Sequence, residues 1–408
     1  MKALGPVPNG FSSLDGVLAI DGRKVSDLAE AAGSTPLFVY SRRLIAARVA
    51  DLRASLPPRV SIHYAVKANP FRDLLEAISE LVDGFDIASS GELTALLGAG
   101  IDPARVSFAG PGKRDGELAA AIGAGVTLNC ESEAEVERAL ALAASAGITP
   151  RLAIRVNPDF DLKGSGMKMG GGAKPFGLDV DRVPALARRI VDARAEWRGY
   201  HIFAGSQALS ADAIIEAQAQ TLDLAARLGR ESGVPVPHVN LGGGFGIPYF
   251  PGDEPLDLAK VGPALGRKMA DLPRELAETA FCLELGRYLV GEAGVYLTRI
   301  IERKVSHGEV FLITDGGMHH QLAASGNFGT VVRRNYPVAI ATRFGAPVEE
   351  EASVVGCLCT PLDRLADKGG FPRAEAGDLV AVFCAGAYGA TASPMHFLGQ
   401  GPAWEMLV

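Results

Sequence analysis

The sequence predicts an α/β protein: a parallel (β/α)8 barrel followed by a mostly antiparallel C-terminal β domain that the N-terminal segment completes. Three features carry this prediction. Between residues 60 and 285, eight short strand-like runs alternate with Ala/Leu/Arg-rich stretches of helical pattern. Beyond residue 290 the strand-like runs follow one another across short turns, with no long helical stretch between them. Strand-like pieces also occur within the first 40 residues, ahead of the first barrel unit. The expected domains are residues 1–40 as a segment joining the β domain, 41–285 as the barrel and 286–408 as the β domain.

In chain order, GVLAI (16–20) and PLFVY (36–40) are the N-terminal strands, and both are expected to pair with the C-terminal sheet. The barrel strands are VSIHYAV (60–66), GFDIAS (84–89), RVSFAG (105–110), GVTLNC (125–130), RLAIRV (151–156), RGYHIF (198–203), HVNLGG (238–243) and AFCLEL (280–285). Helical patterns such as residues 91–100, 131–147 and 211–233 lie between them. A doubly wound open sheet is the structural rival, but eight units over about 225 residues favour closure into a barrel. GVYLTRIIERKV, EVFLITDGG, YPVAIATRF, ASVVGCL and DLVAVFCAG supply the β domain.

Composition narrows the function classes. Of 408 residues, 48% are hydrophobic and 21% charged, which excludes a disordered chain. Forty Lys and Arg against 47 Asp and Glu leave −7, and no basic block supports a nucleic-acid partner. Five cysteines form an odd, sparse set that favours a reducing compartment over a disulfide framework. The N-terminus lacks the apolar core of a signal peptide, and no apolar run reaches the roughly 18 residues of a membrane span. The expected location is cytoplasmic, with no membrane partner.

In a β/α barrel the functional residues sit where strands end, because all eight strand C-termini open on one face. The first strand runs into Tyr64-Ala65-Val66-Lys67-Ala68-Asn69-Pro70. A lysine whose stem lies among barrel side chains is expected to be desolvated, which suits it to form a Schiff base; a snorkelling surface lysine is the plainer alternative. The seventh strand ends in Asn240-Leu241-Gly242-Gly243-Gly244-Phe245-Gly246, whose bare backbone suits a phosphate after strand seven. The eighth ends in Glu284-Leu285-Gly286-Arg287, where the carboxylate forms either a structural pair with Arg287 or a partner for a protonated heteroaromatic nitrogen. On the sixth, His201 and Phe203 share a face by period two, so one aromatic ring can point inward. A lysine, phosphate-binding glycines, a stacking ring and a carboxylate together describe a pocket for pyridoxal 5′-phosphate (PLP). No metal is expected, since Cys357-Leu358-Cys359 has no second Cys or His pair nearby.

YAVKAN, GSQ after strand six, GGGFG, ELGR, GCLCTPLD and GAYG occur in the order seen in the barrel-type (fold III) PLP-dependent decarboxylases, and the chain resembles that family over about residues 15–400. It most resembles the diaminopimelate branch, and within it the subgroup associated with exosortase gene clusters or with carrier-protein-bound substrates. The resemblance implies that Lys67 forms the Schiff base. It assigns the phosphate to Gly243, Gly244, Ser206, Gly286, Arg287 and Tyr388, and the pyridine nitrogen to Glu284. Arg155 lies near the ring and Asp86 flanks the site. Cys359 protonates the substrate carbanion, reaching in with Asp363 from a partner subunit, so a homodimer with its active site at the interface is implied. By strand alternation Cys357 and Cys359 face the same side, and the motif singles out Cys359; a buried small hydrophobe is the structural alternative for it. For Tyr388 that alternative is a core aromatic, though glycines around Ala387-Tyr388 suggest close backbone approach.

Departures from the family pattern bear on the substrate. Phe203 stands where the family's stacking His is usual, so His201 and Phe203 remain alternatives for the ring that covers PLP. After Asp315-Gly316-Gly317-Met318 an Arg-Pro-x-Leu-Tyr element is usual; here the chain reads His319-His320-Gln321-Leu322-Ala323-Ala324-Ser325-Gly326-Asn327. Thr360 stands where an acid is expected. Arg287, His319, His320, Thr360 and Asp363 are the expected substrate contacts, and Arg333 or Arg334 is the candidate to replace the missing arginine. The reading is an α-decarboxylase of an amino acid or amino-acid derivative, free or carrier-tethered. The alternatives are an amino-acid racemase, which on this scaffold resembles the family but has Arg beside the pyridine nitrogen, and a non-catalytic PLP-holding protein.

Overall fold

The computed structural model describes residues 1–326 and 333–408, and the chain divides into two compact units. One comprises residues 48–247 and 255–286, the other residues 1–47, 248–254 and 287–408.

Among its described residues the first unit closes eight parallel strands into a barrel: Val60–Ala65, Gly84–Ile87, Val106–Phe108, Thr127–Cys130, Arg151–Asn157, Glu196–Ile202, His238–Gly243 and Ala280–Leu285. Each pairs with the next, and the eighth returns to the first with Glu284 opposite His63. That closure disposes of the open-sheet rival, and every strand overlaps its predicted run. The intervening helices are punctuated locally. Ser89, Ser132 and Ser210 cap three of them by accepting the N–H of Glu92, Glu135 and Ala213, each cap contributing about 1 kcal/mol. Gly147 and Gly233 end two of them at φ 66° and 69°, the left-handed region where a Cβ is unfavourable.

Alternation sorts each strand into two faces. Val60, Ile62, Tyr64, Phe85, Phe281 and Leu283 are buried against the surrounding layer. Ser61, His63, Asp86, Cys282 and Glu284 occupy the alternate positions. Barrel interiors are usually filled by branched apolar side chains; here this set is polar and titratable.

The second unit contains a mixed sheet, mostly antiparallel. Gly294–Ser306 is its long central strand, pairing antiparallel with Leu37–Tyr40, Leu379–Val382 and Glu309–Thr314. Two pairings are parallel: Glu309–Thr314 with Glu350–Val355, and Leu37–Tyr40 with Trp404–Leu407. PLFVY joins this sheet as expected, but GVLAI does not. Val17–Ile20 pairs instead with Ser12–Leu14 and Arg23–Lys24. It contributes side chains rather than ladder bonds, since Leu18 and Ile20 are buried with Leu37, Val39, Val295, Leu297 and Phe383. The sequence reading missed Arg364–Phe371 (RLADKGGF), which pairs with Glu350–Val355. Its charges and glycines argue against a strand, but Asp367 is bound by Lys2 and Arg364, which satisfies the carboxylate within the sheet. Among the described residues no helix is long and apolar enough to cross a membrane.

Candidate active site

Lys67 lies in a single 3-10 turn, Val66–Ala68, directly after the first barrel strand. Three hydrogen bonds fix that turn. Tyr64 Oη donates to the Asn69 carbonyl at 2.9 Å, Asn69 Oδ1 accepts the Phe71 N–H at 2.9 Å, and the Asn69 N–H reaches the Val66 carbonyl at 3.0 Å. The Tyr and Asn of YAVKAN are therefore scaffolding for the lysine between them. Gly286, past the eighth strand, abuts the same turn: a Cβ there would approach the Ala68 Cβ to 2.8 Å and the Ala65 carbonyl oxygen to 3.0 Å.

Strands one, six and eight bring their functional groups together. Lys67 Nζ is 3.6 Å from Glu284 Oε1 and 5.6 Å from the centre of the Phe203 ring. His201 Nε2 lies 3.0 Å from Glu284 Oε2. The Lys67 side chain is 46% exposed, so the desolvation expected from the sequence is absent: the strand-end position leaves the ammonium in the barrel mouth, facing a counter-charge. Glu284 is the buried partner. Burial alone would raise its pKa, but the charge of Lys67, then His201 and Arg155, overcomes this and holds the carboxyl well below its ordinary range.

Although close, His201 and Glu284 are not aligned as a hydrogen bond: among the described residues, Glu284 Oε2 and both His201 ring nitrogens are buried without one. Leaving such an atom unpaired costs about 1–3 kcal/mol, which a protonated ring nitrogen beside Glu284 would recover. An amine, an ionised carboxylate with an unpaired oxygen, and an aromatic ring within reach of both fit PLP.

The remaining barrel positions are placed as follows. Arg155 is buried, its guanidinium 2.8 Å from Glu131 Oε1 and over the Phe176 ring at 5.0 Å. Glu131 also accepts the Gly110 N–H at 2.6 Å and the Gly177 N–H at 2.9 Å. Asp86 accepts the Ser107 hydroxyl and lies 3.4 Å from His63 Nδ1. A Cβ at Gly243 would fall 2.0 Å from the Glu284 carbonyl oxygen. Gly244, at φ +76°, would put one 2.4 Å from the Gly205 carbonyl oxygen. Both glycines are thus required by backbone packing. Ser206 pairs with Met167 in a two-residue ladder beside that loop.

Three residues escaped the sequence reading. Gln207, the last residue of GSQ, donates to the Ile247 carbonyl at 2.7 Å and accepts the Ile247 N–H at 3.2 Å, tying the strand-six loop to the strand-seven loop. Glu131 immediately follows the fourth strand, a position the strand-end rule covers. Glu92, whose pKa burial raises and the Lys67 charge partly restores, sits in the first turn of a helix, where no strand-end rule points.

In the second unit, Arg287 donates to Tyr249 Oη at 2.7 Å and lies over the Tyr388 ring at 4.7 Å. Tyr388 adopts φ +59°, a strained value for a non-glycine residue. The flanking glycines are tightly packed, with a Gly386 Cβ falling 1.8 Å from the Val290 carbonyl oxygen. His319 and His320 are buried with ring centres 3.8 Å apart. His320 Nε2 bonds the Gly401 carbonyl at 2.8 Å, so it carries the hydrogen, and Nδ1 accepts Tyr296 Oη at 3.0 Å. Burial, reinforced by His319, pushes the His320 pKa down to about 4, and burial lowers that of His319. Both rings are therefore neutral at pH 7.

Asp363 is a structural hub. Its carboxylate accepts the Met318 N–H at 2.6 Å and the Leu358 N–H at 2.9 Å. Thr360 Oγ1 accepts the Leu362 N–H at 3.3 Å. Cys357 and Cys359 lie beyond the strand that ends at Val355, in a bend where alternation does not apply, and both are exposed. Cys359 is thus not a buried hydrophobe. Arg333 bonds the Arg364 carbonyl and Arg334 stacks 3.9 Å over Phe250. Asn327 lies outside the described residues.

This geometry agrees with comparisons to known proteins. The family model "Pyridoxal-dependent decarboxylase, pyridoxal binding domain" matches residues 42–291. The chain belongs to the pyridoxal-dependent decarboxylases. Its cofactor is PLP and its reaction is amino-acid α-decarboxylation. It is 36% identical over 383 residues to the L-glutamyl-[BtrI acyl-carrier protein] decarboxylase of Niallia circulans, covering 91% of this chain and 88% of that protein. It is 33% identical to the diaminopimelate decarboxylase of Aquifex aeolicus, covering 97% and 91%. Among solved structures, the diaminopimelate decarboxylase of M. jannaschii in co-complex with L-lysine superposes with a TM-score of 0.85 at 25% identity, covering 98% and 93%. That of Helicobacter pylori complexed with L-lysine gives 0.82 at 26%, covering 94% of each chain. The family match and these relatives favour a decarboxylase over the racemase and non-catalytic alternatives.

Proposed function

We propose that this decarboxylase acts on an amino acid whose distal end is uncharged or masked, such as a glutamyl group tethered to a carrier protein, and that free meso-diaminopimelate is a poor substrate. The observation behind this reading is the neutral His319–His320 pair in the position where the family's arginine-bearing element is usual. His319 offers ring nitrogens that make no hydrogen bond among the described residues, which suits an amide or thioester-linked arm. A distal ammonium and carboxylate would each need a counter-charge, at a cost of several kcal/mol if left unpaired. The Niallia circulans relative supports the carrier-tethered option.

PLP, when bound, supplies a ring that withdraws electrons from Cα as CO₂ leaves. Lys67 is the amine that holds the cofactor and yields to the substrate amino group. Glu284 keeps a proton on the ring nitrogen, with His201 3.0 Å from that carboxylate. Phe203, half-buried beside Lys67, packs on the ring and excludes water. Gly243, Gly244, Ser206 and Gly286 take the phosphate, while Arg155 and Asp86 complete the wall. Cys359, exposed and free, delivers the proton to Cα, with Asp363 fixing its loop. The enzyme works in the cytoplasm, in keeping with five free cysteines, as a homodimer in which Cys359 comes from the partner subunit.

Kinetics on diaminopimelate, lysine, ornithine, glutamate and a carrier-tethered glutamyl group test the substrate reading. The tethered group should be turned over best. Diaminopimelate turnover with kcat/KM of about 10⁴ M⁻¹s⁻¹ or more, the ordinary enzymatic range, would overturn it. Subunit exchange tests the shared site: mixing inactive Lys67→Ala with inactive Cys359→Ala should restore activity in heterodimers. No restoration after verified exchange would place both residues on one subunit.

A further inference from the structure

Strands one, seven and eight carry a second cluster of chemistry that the decarboxylation does not use. His238 begins the seventh strand, Cys282 is the third residue of the eighth, and His63 lies on the first; the eighth strand pairs with both others. One ligand-capable atom from each of the three lies within 4.8 Å of the others. We propose that this cluster is a binding site for a soft divalent cation, zinc being the simplest, held by His63, His238 and Cys282 inside the barrel.

Two imidazoles and a thiolate are a donor set that zinc takes, with Zn–N near 2.0–2.1 Å and Zn–S near 2.3 Å. Those bond lengths put tetrahedral ligand atoms roughly 3.5 Å apart, so closing the cluster needs side-chain shifts of about 1 Å at most. Cys282 is fully buried, and His63 and His238 are half-buried. The His63 ring also faces a buried anionic partner. Asp86 is 5% exposed, and its Oδ2 pairs with His63 Nδ1 at 3.4 Å, neither atom making a closer hydrogen bond among the described residues. Asp86 is itself held in place: its other oxygen accepts the Ser107 hydroxyl, which accepts Asn129 Nδ2 at 3.0 Å. A buried carboxylate beside a metal-bound imidazole is the usual outer partner that orients such a ligand and balances its charge. The His63 ring also has a shaped seat, since a Cβ on Gly84 would fall 2.5 Å from its Nε2.

A cavity of about 250 Å³, lined by His63, His238, Ser61 and Asn240 among others, reaches two of the ligands. It offers a path of entry and room for a water as fourth ligand. The site is distinct from the Lys67–Glu284 centre, although Cys282 and Glu284 share a strand. Its bound ion would pin together the three strands that present Lys67, Gly243 and Glu284. The three ligands are more than forty residues apart along the chain, which is why no sequence spacing announces them.

Metal analysis of the PLP-loaded enzyme, produced with zinc present and dialysed against metal-free buffer, tests this. Wild type should retain about one zinc per chain, and Cys282→Ala should lose most of it while keeping the visible absorbance of bound PLP. Wild type without zinc, or Cys282→Ala holding as much as wild type, would overturn the proposal. If the variant does not fold, wild type with its exposed Cys357 and Cys359 alkylated is titrated with Co²⁺. A sulfur-to-cobalt charge-transfer band then supports the site, and its absence overturns it.

Discussion

Lys67→Ala is expected to purify without the visible absorbance of lysine-bound PLP and to lose decarboxylation by about 10⁴-fold or more, on the scale of removing a catalytic nucleophile. The turn that presents residue 67 should survive, because its three fixing hydrogen bonds come from Tyr64, Asn69 and the backbone. What changes is the charge at Glu284. Lys67 is the largest influence opposing burial there, so without it the carboxyl pKa moves upward. The variant thus loses both the covalent anchor and part of the charge that keeps Glu284 ionised. Absorbance spectra and trapped CO₂ on the same preparation check both. Near-wild-type CO₂ release would remove Lys67 from the chemistry.

Glu284→Gln should keep PLP, since Lys67 and the glycine loop are untouched, but lose turnover by about 10²–10⁴-fold, the range for a group that manages a proton in the transition state. An amide cannot balance a protonated ring nitrogen. The pH behaviour should change as well. A carboxyl whose folded pKa lies below its unfolded value of 4.5 contributes stability above that value and loses it only as pH falls toward the depressed folded value. Wild-type Glu284 therefore stays ionised as pH falls through 4.5, and this share of acid sensitivity disappears in the glutamine variant. Wild-type turnover by Glu284→Gln would mean that the ring nitrogen needs no carboxylate.

Much of this was legible in the sequence because a parallel barrel writes its active site at strand ends. Lys67 follows a strand-like run and His201, Phe203 and Glu284 lie in the last three residues of theirs; closure brings them together. What alternation and motif could not reach depends on tertiary contact. The exposure of Lys67 is set by where the barrel mouth opens, not by the apolar run before it. Cys357 and Cys359 occupy a bend, so their period-two relation carried no meaning. Asp363 reads as a free acid in GCLCTPLD, yet the backbone N–H groups of the distant Met318 and of Leu358 in its own loop engage its carboxylate. Gln207 looks like an ordinary loop residue until Ile247 is placed opposite it. The strand RLADKGGF became visible only once Asp367 had found its cationic partners.

The central claim is that Lys67 is the cofactor's covalent partner, facing Glu284 in the barrel mouth. Borohydride reduction of the wild-type enzyme followed by peptide mapping tests it most directly. The pyridoxyl group should be found on the peptide containing Tyr64-Ala65-Val66-Lys67; its recovery on any other lysine would contradict the assignment.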